Sequence, residues 1–418
     1  MTHKRRVVIT GLGLVSPLGL TVRDSWNALI AGTSGISSIS SLGSPSLKVK
    51  IAGDVKSFNP SSLPGKKKNI KLMNRDAQLA VAATDEALAD AGFNRETTGP
   101  VAFGIAFGAF GIQYTLDEAF SFIREPGETK TLNPIWPLTI LPNMSLCHSA
   151  ITHSLQGPNI AFCSLTASGT QAVGEAFKSI QYGDADIFIA GGCSSLNPSY
   201  LLSLADAGLF SAEEADPASS CRPFDKRRSG FAMGEGAAVI ILEELGHALQ
   251  RNAAIYAEVC GYACAGEGAF FPCEEPPMEA RVAGVAACIE ETLRQAAIDR
   301  SHIDYINAEG NATVLSDRIE TEAIKRVFGD HAYHLSVSST KAATGHMLCA
   351  SGAAEIIVST LAIKHGIVPP TLNYEQPDPH CDLDYTPNRP RTREIHAALS
   401  LTLGLSGENG AVLIRNVA

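Results

Sequence analysis

A strand, a tight turn and the start of a helix follow one another in Gly157-Pro-Asn-Ile-Ala-Phe-Cys-Ser-Leu-Thr166-Ala-Ser-Gly169. The apolar run before the turn predicts a buried strand, and the small residues at 167–183 predict a long helix. The dipole and free N–H groups at the start of such a helix favour a thiolate or an oxyanion. Thr166 stands at the turn, and a threonine hydroxyl stays protonated unless an adjacent base activates it. Whether the chain is an enzyme therefore depends on this position.

Short β-branched runs alternate with helical segments along the whole chain. The predicted strands include residues 7–10, 101–105, 187–190 and 239–242, and residues 76–91 predict a helix. A second unit, residues 339–366, repeats the turn, the Ser-Gly step into a helix and the closing glycine. The pattern predicts an α/β protein made of two βαβα halves, at residues 1–254 and 255–418.

Composition narrows the class of function. The chain has 418 residues, 45% of them hydrophobic, and a net charge of −10, which argues against general binding to nucleic acid or to acidic membranes. Its ten cysteines show neither disulfide-like nor zinc-ligand spacing, which is typical of free thiols in a reducing compartment. We expect a cytoplasmic protein without a membrane span, a metal or a cofactor.

One basic cluster stands out in this acidic chain. It comprises Lys66-Lys-Lys-Asn-Ile-Lys71 and Arg75. The simpler interpretation is a solvated loop before a helix, because charge runs usually indicate exposure. The functional alternative is a local contact with an acidic partner.

Five further motifs carry a family resemblance. They are Val7-Val-Ile-Thr-Gly-Leu-Gly-Leu-Val-Ser-Pro-Leu-Gly19, Ala185-Asp-Ile-Phe-Ile-Ala-Gly-Gly192, Arg222-Pro-Phe-Asp225, Gly230-Phe-Ala-Met-Gly-Glu-Gly236 and Ser339-Thr-Lys-Ala-Ala-Thr-Gly-His346. In this order, and over a chain of this length, they resemble the β-ketoacyl-acyl-carrier-protein synthases of the thiolase-like superfamily. The resemblance implies a layered α/β/α/β/α unit with the central helices buried between two sheets.

The resemblance also implies where reactive groups should stand. The family uses a cysteine at the turn and two histidines in the second half of the chain. In this sequence the cysteine position holds Thr166 and the first histidine position holds Glu309, while the second histidine, His346, and its companion Lys341 are kept. Leu403 replaces the phenylalanine that usually gates the glycine-rich turn near the C-terminus. Two of the three reactive groups are therefore missing.

Two other candidate sites are weaker. Gly11-Leu-Gly13 follows a strand, but Ser16 occupies the third glycine position of a dinucleotide motif and no acidic residue follows at the right distance. Cys163, three residues before Thr166, is a possible substitute nucleophile, although a buried structural thiol is the better interpretation because reactivity needs exposure and an electropositive setting.

These substitutions indicate a ketosynthase-like subunit that does not catalyse the condensation itself, similar to the chain-length factors of type II polyketide or aryl-polyene systems. The resemblance implies a heterodimer with an intact ketosynthase and contact with acyl carrier protein. Four residues are candidates for lining the acyl tunnel or the dimer interface: Phe107, Phe110, Trp136 and Leu403. Two alternatives stay open: an active homodimeric 3-oxoacyl carrier-protein synthase with Thr166 or Cys163 as nucleophile, and a scaffold that only stabilises its partner.

Overall fold

The computed structural model describes residues 4–39, 49–93, 103–109, 137–212, 215–267 and 277–417. Within these ranges the strands are β1 (Val7–Val15), β2 (Ile36–Ser38), β3 (Ile51–Gly53), β4 (Gly104–Gly108), β5 (Asn159–Phe162), β6 (Ile187–Ser194), β7 (Met233–Gly234), β8 (Gly236–Glu244), β9 (Ala257–Gly266), β10 (Tyr305–Asn307), β11 (Ser336–Ser338), β12 (Ile367–Val368), β13 (Arg391–Thr392), β14 (Ala397–Leu403) and β15 (Glu408–Arg415). The helices are α1 (Val22–Ile30), α2 (Lys67–Ile70), α3 (Arg75–Asp90), α4 (Pro137–Ile140), α5 (Met144–His153), α6 (Ser168–Tyr182), α7 (Pro198–Asp206), α8 (Leu245–Gln250), α9 (Met278–Ala296), α10 (Val314–Phe328), α11 (Lys341–Thr344) and α12 (Ser351–His365).

Ten strands form one continuous sheet with an internal symmetry. Their order is β11-β10-β14-β15-β9-β1-β8-β6-β4-β5. The halves join where β1 pairs antiparallel with β9. Each half contributes five strands, which can be numbered one to five in chain order. From its edge of the sheet inward, each half then shows the same order: third, second, fourth, fifth and first. This repeat confirms the predicted duplication, while the division at residues 254 and 255 stays a prediction.

The helices complete five layers. Helices α6 and α12 pack against each other and contact strands of both half-sheets, so they form the central layer. Helices α3 and α5 cover the outer face of the first half, and α9 and α10 cover that of the second. Among the described residues, Leu348–His365 is long and apolar enough to cross a membrane, but 89% of this segment is buried inside the protein. The layered thiolase-like fold expected from the resemblance is confirmed.

Glycines allow the close contacts between layers. A Cβ on Gly13 would lie 1.9 Å from the backbone oxygen of Ala83 in α3, so Gly11-Leu-Gly13 lies inside β1 as a packing surface for a helix. In the centre, a Cβ on Gly169 of α6 would lie 2.4 Å from the backbone oxygen of Cys349. Helix α6 ends at Gly183, whose φ of 87° is a left-handed C-cap, as its sequence predicts.

Two local predictions need correction. The strand predicted at 101–105, of which residues 101 and 102 lie outside the described residues, covers Gly104 and Ile105 and continues to Gly108. Glycine at its end permits close packing against strand propensity, because a Cβ on Gly108 would lie 2.5 Å from the Gly169 nitrogen. The strand before the turn, β5, is not buried: its residues alternate between exposed and half-buried. The reason is its place at the end of the ten-stranded sheet, where β4 is its one neighbour among the described strands. Cys163, predicted to be buried, is consequently exposed.

Candidate functional site

Thr166 lies in a strained turn between β5 and α6. The turn is the 3₁₀ segment Leu165–Ala167, and Leu165 has a φ of 47°. Ser168 holds it in place: its Oγ donates a hydrogen bond to the Leu165 oxygen and accepts one from the Ser164 N–H, both at 2.8 Å. Thr166 is fully buried, and its Oγ1 has no hydrogen-bond partner within the described part of the chain. The turn therefore presents a hydroxyl to which no base is bonded.

The second half of the chain brings Glu309, Lys341 and His346 together. Glu309 Oε1 lies 3.2 Å from Lys341 Nζ and 3.4 Å from His346 Nε2, and all three side chains are buried. Lys341 Nζ also donates hydrogen bonds to the backbone oxygen of Glu309 at 2.6 Å and to Glu355 Oε1 at 2.5 Å. The turn with Thr166 packs against the Leu348–Ala350 turn, which follows His346. The grouping inferred from the resemblance is present, with a carboxylate in place of one imidazole.

The hydrogen bonds of His346 determine what its ring can do. Nδ1 accepts the Leu348 N–H at 3.2 Å and lies 3.1 Å from Ser351 Oγ. Burial, and then the charge of Lys341, lower the pKa of His346 well below 6.5, so the ring is neutral and carries its proton on Nε2. A Ser-His-Asp type relay needs the acid on one ring nitrogen and the hydroxyl on the other. Here Nδ1 is occupied, so His346 cannot take a proton from Thr166.

Several carboxyl groups are buried around this centre. Glu320 accepts hydrogen bonds from the backbone N–H groups of Glu309 and Gly310 at 2.7 and 2.9 Å. Burial raises the pKa of Glu320 to about 8, that of Glu355 to about 7 and that of Asp317 to about 7. Burial also raises the pKa of Glu309, against the opposing effects of Lys341 and the Leu403 backbone N–H. The cluster therefore holds protons at a pH where exposed carboxyl groups have lost them.

This cluster predicts that the protein loses stability as pH rises. Unfolded Asp and Glu have pKa values of about 4, so between pH 4 and 8 the folded state binds more protons than the unfolded state. The free energy of unfolding then decreases with pH across this window. Urea unfolding at pH 5 and pH 8 should give the lower midpoint at pH 8, and Glu320→Gln should reduce the difference. A higher midpoint at pH 8 would contradict the assignment.

The other predicted site residues lie in different parts of the structure, and some lie outside its described residues. Leu403 is buried at the end of β14, with its backbone N–H directed at Glu309, and Phe107 is fully buried among core side chains of the first half. Phe110 and Trp136 lie outside the described residues. Partial burial raises the pKa of Cys163, so the exposed thiol is not an activated thiolate. The tunnel roles stay predictions.

The buried carboxyl groups and the strain in the second turn were not predicted from the sequence. Leu348 has a φ of 41°, close to that of Leu165, and Met-Leu-Cys349-Ala-Ser-Gly repeats Ser-Leu-Thr166-Ala-Ser-Gly. The repeat was visible in the sequence. Glu355 was also visible as an acidic residue between the small and apolar residues of α12.

Comparison with known proteins identifies the family. Residues 4–248 match the beta-ketoacyl synthase N-terminal domain and residues 256–375 match the beta-ketoacyl synthase C-terminal domain. The chain is 39% identical over 417 residues to a 3-oxoacyl-[acyl-carrier-protein] synthase 2 from Coxiella burnetii (strain RSA 493 / Nine Mile phase I), with 99% of both chains covered.

Similar solved structures are ketosynthases as well. A type II PKS acyl-carrier protein in complex with its ketosynthase matches at 31% identity and a TM-score of 0.87, covering 100% of both chains. The ishigamide ketosynthase/chain length factor matches at 28% identity and a TM-score of 0.88, covering 99% of this chain and 100% of the other. The chain belongs to the beta-ketoacyl synthase family.

Proposed function

We propose that this chain is a chain-length factor: a ketosynthase-like subunit that pairs with an intact ketosynthase and helps set the length of the carrier-bound acyl chain. The observation that carries the proposal is that buried Thr166 and Glu309 stand at the two positions where the family has its cysteine and first histidine. Carbon–carbon bond formation would then take place in the partner.

Thr166 is a poor nucleophile in this setting. A cysteine at the start of α6 would gain acidity from the helix N-terminus, whereas a threonine hydroxyl needs a base. The neutral His346 carries its proton on Nε2, because Nδ1 accepts the Leu348 N–H, and so the ring cannot act as that base. Acyl transfer to Thr166 is therefore disfavoured.

The charge of Glu309 opposes the condensation chemistry of the family. In the family two imidazoles stabilise the enolate that forms as carbon dioxide leaves. An ionised Glu309 at one of these positions would oppose developing negative charge in a poorly screened interior. A protonated Glu309 could donate one hydrogen bond, but it would not replace both imidazoles.

The edge strand β5 supports a partner. It ends the ten-stranded sheet of the described residues; Phe162 packs against the core, whereas Ala161 and Cys163 are exposed. An unpaired edge with apolar side chains favours pairing with another chain. We propose that the intact ketosynthase binds along this edge, and similarity to a ketosynthase/chain length factor is consistent with such a pair.

We propose that four side chains limit the length of the acyl chain, because a longer chain would clash with them: Phe107, Phe110, Trp136 and Leu403. Phe107 is fully buried inside this subunit. Shrinking Phe107 would therefore reduce stability as well as any barrier to the chain, so product length must be compared at equal amounts of folded complex.

The carrier protein is proposed to dock on the basic helix α2. Lys66, Lys67 and Lys68 are exposed, whereas Arg75 is bonded to Glu235 at 2.7 Å and is not available as part of the cluster. We expect Lys67→Glu with Lys68→Glu to weaken carrier binding roughly tenfold, with less effect at high salt. Titration calorimetry would measure this, with the double charge reversal Arg389→Glu and Arg300→Glu as the matched control. Equal loss in both variants would contradict a local docking site.

An active homodimeric 3-oxoacyl carrier-protein synthase is the second candidate. The observation in its favour is the full-length identity of 39% to a protein named as such a synthase. A scaffold that only stabilises its partner is the third. A cytoplasmic location, and the choice between polyene and aromatic polyketide pathways, stay predictions.

Co-expression with the ketosynthase encoded nearest to this chain tests the proposal. A chain-length factor should give a stable 1:1 complex, and product should require both chains. Product from this chain alone would favour the active synthase. Absence of a complex would exclude both the factor and the scaffold, and unchanged product length after Phe107→Leu in an intact complex would favour the scaffold.

A further inference from the structure

Buried polar atoms without hydrogen bonds meet at the centre of the described structure. They are Thr166 Oγ1, Glu309 Oε2 and His346 Nε2, and each side chain is fully buried; the other Glu309 oxygen, Oε1, lies 3.2 Å from Lys341 Nζ. Leaving such an atom unsatisfied costs about 1–3 kcal/mol, so groups of them usually surround a bound polar molecule. The turn with Thr166 packs on β14, whose last residue, Leu403, directs its N–H at Glu309. A water molecule bonded to Glu309 Oε2 and His346 Nε2 would satisfy two of these atoms.

These groups have complementary roles toward such a water. Glu309 can accept a proton, because its pKa is raised by burial while Lys341 keeps the charged form accessible. His346 offers the Nε2 proton as a hydrogen-bond donor. Thr166 can orient the water through its hydroxyl, and the start of α6 favours negative charge nearby. A general base, a donor and a stabilised site for an oxyanion are the requirements of acyl hydrolysis.

We propose that this site hydrolyses acyl thioesters by direct attack of water, with Glu309 as general base. The water oxygen forms a bond to the thioester carbonyl carbon while its proton passes to Glu309. The tetrahedral intermediate collapses with loss of the carbon–sulfur bond, and the leaving thiolate takes a proton from the Glu309 carboxyl. The products are a carboxylic acid and a free thiol, and the enzyme is left unchanged.

An apolar cavity next to this site indicates a short acyl group. It has a volume of about 160 Å³, is lined by residues that include Ile51, Ala205, Phe210 and Phe231, and opens toward the surface. Phe231 separates it from His346, with the two rings edge to face and their centroids 4.9 Å apart. Movement of Phe231 would connect the cavity with Glu309 and His346.

Release of thiol from hexanoyl-N-acetylcysteamine, detected with a thiol-reactive dye, tests the proposal on the full-length chain. We expect hydrolysis at least about 100-fold faster than in buffer, and a loss of most of this acceleration in Glu309→Gln, which keeps the shape but cannot take a proton. Glu290→Gln, an exposed change, should keep the rate. For the wild-type chain the rate should fall as pH drops through a value above the ordinary 4.5 of Glu309.

A wild-type rate equal to the buffer rate would overturn the inference, as would an unchanged rate in a Glu309→Gln variant with native circular dichroism. If that variant fails to fold, the pH profile decides: a rate independent of pH between 4 and 8 contradicts a carboxylate base. The activity is additional to the proposed function. Complex formation with the ketosynthase, measured in parallel by size-exclusion chromatography, does not depend on hydrolysis, so either idea can fail alone.

Discussion

Thr166→Cys is expected to convert a chain that takes up no acyl group into one that is fully acylated. The new thiol would stand at the strained turn Leu165–Ala167, at the start of α6, where the helix N-terminus favours a thiolate. Incubation with an acyl carrier protein and intact-mass measurement should show one added acyl group per chain. Thr166→Ser, which keeps a hydroxyl without a base, is the matched control and should remain unmodified. Equal labelling of Thr166→Ser and Thr166→Cys would show that the hydroxyl is already activated.

The same experiment separates loading from condensation. With Glu309 still in place, the acylated Thr166→Cys chain should form little product from malonyl carrier protein, because a carboxylate opposes the enolate charge. Adding Glu309→His should raise the condensation rate by about 10²–10⁴, the usual contribution of a positioned acid–base group. Rapid condensation by the single variant would contradict the role given to Glu309.

Lys341→Met is expected to cause the largest loss of stability. Lys341 Nζ lies between Glu309 and Glu355, and removing one member of a buried ion pair typically costs about 3–5 kcal/mol, because the remaining charge is left uncompensated. Urea unfolding at pH 7 would measure the loss. Lys325→Met is the matched control, since Lys325 pairs with Asp382 at 3.1 Å near the surface, and its loss should cost about 0–1 kcal/mol.

The pH dependence of Lys341→Met gives a second check. Without the ammonium, the folded-state pKa values of Glu309 and Glu355 rise further above their unfolded values. A carboxyl with a raised folded pKa destabilises the fold as pH increases, so the defect should be smaller at pH 5 than at pH 8. Glu355→Gln should partly rescue the variant at pH 8. A defect that grows as pH falls would show that the carboxyl groups are not the cause.

Much of the fold could be predicted because its signals are local. Small residues after the turn, Gly183 at the helix end and the alternation of strands and helices depend on neighbours in sequence. The duplication was also visible, since the turns around Thr166 and Cys349 share Leu-x-Ala-Ser-Gly. Thr166, Glu309, Lys341 and His346 could be placed in one site because they occupy motif positions that a known family brings together.

The exposure of β5 could not be predicted, because an apolar run does not reveal whether its strand lies inside a sheet or at its edge. Asp317 and Glu320 were missed for a related reason. They lie on α10, where a charged residue is usually solvated, and only the tertiary structure turns them toward the backbone N–H groups of residues 309–312. The pKa values of the site depend on this burial, so the sequence alone does not determine them.

The most direct test measures where the acyl group resides in the complex. The wild-type chain and its ketosynthase would be incubated with acyl carrier protein, separated under denaturing conditions and weighed as intact chains. We predict one acyl group on the ketosynthase and none on this chain. An acyl adduct on this chain, mapped to the peptide that contains Thr166 or Cys163, would contradict it.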